Sequence, residues 1–277
     1  LRCNENFRCR FPDNWNVAST IKFCKGEEGM ISRTALVATM VATLFYLSSA
    51  IAYTKQDVPN GGALSGKISF NGKVPDSMKI SIEKNPEVCG TGVREIKEVT
   101  VDGNGGLESA VVFFKKVSAG KPWNVPNGGW QLNQKTCTFL PWVQVIEDKS
   151  ELEVVNHDPV LHNIHTYELI PAGKRVVRVT MFNEAQPTQG FTFKKKVRMR
   201  RGNTIKVECD AHNFMHAYML ALKNPYYAIT SADGTYSIDK IPAGKYSVIV
   251  WHSKLGVISK KIEIGSGGKA TLNHEYK

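Results

Sequence analysis

A chain of 277 residues, 42% hydrophobic and 22% charged, has room for one or two packed domains and is too apolar to be a disordered tract. Its formal charge of +11 is spread along the sequence, with one dense cluster at Lys194 to Arg201. That balance points away from nucleic acid and toward acidic protein partners.

Residues 1–29 carry Cys3, Cys9 and Cys24, show no hydrophobic periodicity and precede Met30. They read as upstream sequence translated in error. Met30-Ile31-Ser32-Arg33 leads into the apolar run Ala35 to Leu47 and then the small residues Ser48 to Ala52, the pattern of a signal peptide over 30–52. The mature chain is expected to begin near Tyr53, in the periplasm or outside the cell. The apolar run falls short of the roughly 20 residues that span a bilayer, so membrane attachment is expected only if this segment stays uncleaved.

Beyond it remain Cys89, Cys137 and Cys209, an odd number. In an oxidising compartment two are expected to pair, and the surroundings of Cys209 mark it as the one kept for other work, leaving a Cys89–Cys137 disulfide.

From Leu64 onward, short runs of alternating apolar and polar residues are separated by turn signals, as in an all-β sandwich. Strands are expected at Leu64 to Phe70, Ala110 to Phe114, Val143 to Ile146, Leu152 to Val155 and Ile205 to Glu208, with Asn71-Gly72 as a hairpin turn. One domain is expected over 64–222. A small antiparallel β module follows over 223–277, built from Tyr226 to Thr230, Thr235 to Ile238, Tyr246 to Trp251, Val257 to Ile264 and Ala270 to His274. The phosphate-binding glycine loop and the haem-attachment motif are both missing, which argues against nucleotide and covalent haem.

The stretch Val207-Glu208-Cys209-Asp210-Ala211-His212-Asn213-Phe214-Met215 is a strand running into a tight loop that presents a thiolate, an imidazole and a thioether. Soft sulfur ligands favour copper, and one Cys with two His and a weak Met is the ligand set of blue-copper electron-transfer sites. One histidine is missing from the loop. The stretch Val154 to His165, right after a strand-like run, offers His157, His162 and His165. A lone Cys, His or Met is ordinarily packing; the combination at this spacing is hard to reach by packing needs alone.

Those residues resemble the cupredoxins, of the amicyanin and plastocyanin type, in His162-Asn163-Ile164-His165 and Cys209-x2-His212-x2-Met215. The resemblance implies a Greek-key β-sandwich holding one type 1 copper on His162, Cys209, His212 and Met215. It implies that Asn163 ties the two ligand segments together by hydrogen bonds and that His165 supports the site without binding the ion. The chain from about Leu64 to Gly256 also resembles an exported bacterial group called methylamine-utilisation-like, in which a cupredoxin domain carries a carboxypeptidase-regulatory-like tail. The matching stretches include Cys89-Gly90, Cys137 to Pro141, Asn156 to Pro159, Phe182-Asn183, Asn224 to Thr230 and Trp251 to Gly256. Two departures stand out: Trp142 where the group often has His, and Phe214 where it often has Trp.

A carrier of single electrons follows, not an enzyme, because no open metal position with a nearby general base is evident. Copper storage or delivery, and a metal-free β-sandwich used for interaction, are the rival readings. His157, His216 and His252 are expected to be surface or core histidines, with His216 and His252 close enough in sequence to the motifs to approach the metal. The run Lys194 to Arg201 is expected to form a strand with Val197 and Met199 inward and Lys194, Lys196, Arg198 and Arg200 outward. That face either solvates a sheet edge or docks an acidic redox partner such as a c-type cytochrome or a dehydrogenase.

Overall fold

The computed structural model describes residues 52–173 and 175–277. The segments read as upstream sequence (1–29) and signal peptide (30–52) therefore lie outside the described residues, except for Ala52.

The described chain is an all-β sandwich. One sheet runs in the order Thr192–Lys196, Glu151–Asn156, Trp130–Gln134, Phe139–Leu140; a second runs Arg175–Gln186, His162–Ala172, Thr204–Glu208, His216–Leu222, Val143–Glu147. Leu132 and Val154 from the first share one core with Val145, Ile164, Val207 and Met219 from the second. The long hairpin His162–Ala172 with Arg175–Gln186 was not anticipated, because its outer half sets apolar residues side by side (Leu169-Ile170 and Val176-Val177) and so lacks a period-two signal.

A third sheet runs Tyr227–Ile229, Val111–Phe114, Gly244–His252, Gly256–Ile264, and a fourth Thr235–Ile241, Gly62–Phe70, Lys269–Thr271, with His274–Tyr276 also pairing with Gly62–Phe70. Two expectations are corrected here. Gly62–Phe70 and Val111–Phe114, assigned to the domain over 64–222, pair with strands of the tail. The tail is thus neither self-contained nor wholly antiparallel, since its last two strands run parallel to Gly62–Phe70. Asn71-Gly72 makes no hairpin for the same reason: the neighbours of the strand before it come from the far end of the chain. A local turn signal cannot report such non-local pairing.

Val111–Phe114 is buried at every position, as befits a strand covered on both faces. Its alternation sends Val111 and Phe113 into the core of the first two sheets and Val112 and Phe114 into the tail core; in the neighbouring strand Trp251 and Ile249 face the former, Val250 and Val248 the latter. The central strands of the third sheet are therefore the wall common to both cores.

The basic run is not one strand. Pairing stops at Lys196, and the chain then turns so that the amides of Arg200, Arg201 and Gly202 donate to the buried Glu168 carboxylate at 3.1, 2.7 and 2.6 Å. Burial opposes charge on Glu168, yet these backbone donors hold its carboxyl below the usual range. Val197 is buried and Met199 half-buried, while Lys194, Lys196, Arg198 and Arg200 are exposed.

His252 is buried in the third sheet, and its Nδ1 accepts the amides of Lys254 and Leu255 at 3.2 and 3.3 Å. Burial pushes it from 6.5 down to about 4. Between those values the unfolded chain binds a proton that the folded chain refuses, so the stability this group contributes is full above pH 6.5, falls as pH drops toward about 4 and levels off below it. Urea midpoints measured across that interval should decline, and the decline should be shallower in His252→Gln.

Candidate metal centre

His162 opens the strand His162–Ala172, Cys209 follows the strand Thr204–Glu208, and Met215 precedes His216–Leu222. The latter two strands are antiparallel neighbours, and Thr204–Glu208 also pairs with His162–Ala172, so the three strand ends meet at one edge. The loop from Cys209 to Met215 closes on itself: the Cys209 amide donates to the Met215 carbonyl at 3.2 Å and the Met215 amide to the His212 carbonyl at 3.0 Å. Asn163 ties the two segments. Its Oδ1 accepts the amides of Asp210 and Ala211 at 2.6 and 3.2 Å, and its own amide points at Cys209 Sγ, 3.5 Å away.

His162, Cys209 and His212 each offer a ligand atom within 4.8 Å of the others, and all three are buried. His162 Nε2 lies 2.9 Å from Asp158 Oδ2 and His212 Nε2 lies 3.1 Å from Asn85 Oδ1. Because both acceptors are oxygens, each ring carries its proton on Nε2. The two Nδ1 atoms then face each other as lone pairs at 3.1 Å, with the Cys209 sulfur 3.8 Å from His212 Nδ1. Facing lone pairs repel unless a cation lies between them. Nitrogens about 2.0 Å and a sulfur about 2.3 Å from one ion, at trigonal angles, stand about 3.5 and 3.7 Å apart, so the donor set fits a metal. Burial, then the neighbouring His162, pushes His212 from 6.5 down to about 4, keeping its Nδ1 free of protons at neutral pH. Burial pushes the Cys209 thiol up, against donation from the Asn163 amide, so its proton leaves only when a positive charge takes its place.

Asp158, Asn85 and Arg94 were not singled out from sequence. Asp158 sits in a loop braced by buried Asn156, whose Nδ2 donates to the carbonyls of Val160 and Gln186 at 2.9 and 3.1 Å. Besides His162 it receives the amides of Thr136 and Cys137 at 2.7 and 2.8 Å. Those two residues hold φ of 51° and 52°, a costly region for side chains with a Cβ that turns both N–H groups onto the carboxylate. The one available signal was an acidic residue four positions before a candidate ligand.

Cys89 and Cys137 are joined by a disulfide, and Cys209 is the free cysteine among the described residues. His165 does not reach the metal group; it contacts Asp210 at 3.1 Å and stacks on Tyr167. Asp210 in turn accepts Asn163 Nδ2 at 3.0 Å, so His165 supports the site at one remove. His157 is exposed against Asn133, His216 lies among Trp142 and Tyr218, and His252 is held by backbone amides. None of these joins the metal group.

Residues 215–272 match the family described as polysaccharide lyase family 4, domain II, where the sequence had suggested a carboxypeptidase-regulatory-like tail; that expectation is corrected. No curated protein matches the chain. Similar solved structures include a purple cupredoxin from Nitrosopumilus maritimus, at 18% identity over 34% of this chain and 99% of that one, TM-score 0.27. Amicyanin from Paracoccus versutus is 15% identical over 40% of this chain and 97% of its own, TM-score 0.26. A copper-containing nitrite reductase from Thermus scotoductus is 14% identical over 39% of this chain and 25% of its own, TM-score 0.26.

Asp158→Asn keeps the shape and removes the charge that orients His162. Copper affinity, read by chelator competition, should weaken about 10–100-fold while the far-ultraviolet circular dichroism stays unchanged.

Proposed function

We propose that this chain is a type 1 copper protein of the cupredoxin kind that carries single electrons, with His162, Cys209, His212 and Met215 as ligands. The observation that supports this best is the convergence of two Nδ1 lone pairs and one thiol sulfur on a buried point, with both Nε2 atoms already committed to Asp158 and Asn85. Zinc accepts the same three donors. The thioether in the same short loop, Met215, favours copper.

Bound copper supplies a one-electron couple. The protein's part is to hold the donors still. Asn163 fixes the thiolate segment, Asp158 and Asn85 fix both rings, and burial excludes water that would otherwise reorganise as the charge changes. His212 is 2% exposed and lines, with Glu83, Lys84 and Phe214, a cleft of about 240 Å³. Buried ligands favour a retained ion over one handed to a partner, hence a carrier over a delivery protein. The disulfide suits an oxidising compartment, periplasmic or extracellular. In this reading exposed Lys194 and Lys196, on one face of the strand Thr192–Lys196, and exposed Arg198 and Arg200, in the turn beyond it, supply the cationic groups that meet an acidic redox protein, such as a c-type cytochrome or a dehydrogenase.

Adding Cu(II) to the apoprotein should produce an intense visible thiolate charge-transfer band and a reversible one-electron wave in voltammetry. Cys209→Ser should abolish the band; a band that survives the exchange, or a chain that stays colourless throughout, refutes the assignment. Electron transfer with an acidic partner should slow by roughly tenfold or more between about 0.01 M and about 0.15 M salt. A rate indifferent to ionic strength removes the docking role of the cationic face.

A further inference from the structure

The disulfide does not lie apart from the metal centre. Cys89, at the end of the helical turn Pro86–Cys89, and Cys137 place their sulfurs within 4.8 Å of a His212 ring nitrogen and of each other. Cys137 Sγ also lies within 4.8 Å of His162 and Asp158 ligand atoms. Asn85, which receives His212 Nε2, begins the same helical turn. A second set of soft donors thus borders the first, and the two sets share His212.

One cation joins the disulfide to the metal loop. Arg94 donates to the Cys137 and Cys89 carbonyls, at 2.6 Å each, and its guanidinium lies 4.8 Å from the centre of the Phe214 ring. The two cysteine backbones are therefore clamped together by something other than the S–S bond. If that bond opens, the sulfurs remain neighbours, and the adjacent positive charge favours their thiolates.

We propose that Cys89 and Cys137 form a thiol–disulfide switch on the metal centre. As a disulfide the pair borders His212 without holding metal; as a dithiol it becomes a second, soft site for Cu(I), completed by His212. The His212 share of this proposal rests on the reading of the first site given above, whereas the paired sulfurs do not depend on it. Opening requires an external dithiol. That reductant gives two electrons and two protons to the sulfurs of Cys89 and Cys137 and leaves as its own disulfide. Cu(I) then displaces the two thiol protons as it binds the two sulfurs. Because His212 cannot serve both sites fully, filling the second weakens the first, which makes metal retention depend on thiol redox state.

The test uses the full chain with Cys3, Cys9 and Cys24 replaced by Ser in every arm, so that those thiols cannot bind metal. Cu(I) alone is titrated without oxygen against a coloured Cu(I) chelator, before and after reduction with dithiothreitol and its removal. In the added Cys209→Ser background the oxidised chain should bind no Cu(I), and the reduced chain one equivalent. That equivalent should disappear when Cys89 and Cys137 are alkylated. Equal uptake by oxidised and reduced chains, or uptake that survives alkylation, overturns the switch. Circular dichroism of each sample shows that the fold persists, and the oxidised versus reduced comparison needs no substitution at Cys89 or Cys137. Copper uptake by the oxidised chain with Cys209 intact reports on the first site separately, so either reading can fail without the other.

Discussion

The site depends on one carboxylate. Asp158 receives two backbone amides from the turn at Thr136 and Cys137 and a third donor from His162 Nε2. It thereby decides three things at once: which nitrogen of His162 stays bare, where the ring points, and where Cys137 sits beside it. A neutral amide would keep an acceptor for only one of the two backbone N–H groups, and a shorter side chain would reach neither, leaving the imidazole free to turn. Asn163 plays the matching part on the sulfur side, with its Oδ1 spent on the loop amides of Asp210 and Ala211. Neither residue needs to touch an ion to govern how the ligands are held.

Burial and hydrogen bonding divide the electrostatic work. His212 is kept neutral by desolvation and by its neighbouring ring, while the Cys209 thiol is kept protonated by its apolar surroundings. Without a cation the pocket is therefore uncharged at these two ligands. Positive charge is what it lacks, and a thiolate forms only in exchange for it. Two facing lone pairs and a thiol thus form a neutral donor set whose repulsion a soft cation relieves.

Much of this was legible in the sequence. The strand runs at Leu64 to Phe70, Val143 to Ile146 and Ile205 to Glu208 declare themselves by alternation, and the spacing of Cys209, His212 and Met215 declares the loop. His162 was separated from His157 and His165 only through a resemblance, because three histidines within nine residues offer no internal criterion. Asp158, Asn85 and Arg94 stayed hidden, since their roles arise from contacts with segments that lie 21, 127 and 43 residues away. The tail misled for a related reason: periodicity shows that a segment is a strand and says nothing of which strand it joins.

The interleaved cores carry a consequence for how the molecule is made. Gly62–Phe70 leaves the ribosome early yet waits for Thr235–Ile241, Lys269–Thr271 and His274–Tyr276 before its edges are covered. Val111–Phe114 likewise waits for Gly244–His252. A nascent chain cannot close either layer until residues 235–276 have been made, and pairings of such sequence separation form slowly. During that delay an apolar strand with open edges is exposed to self-association, so the order of assembly sets how long the unfinished chain stays at risk.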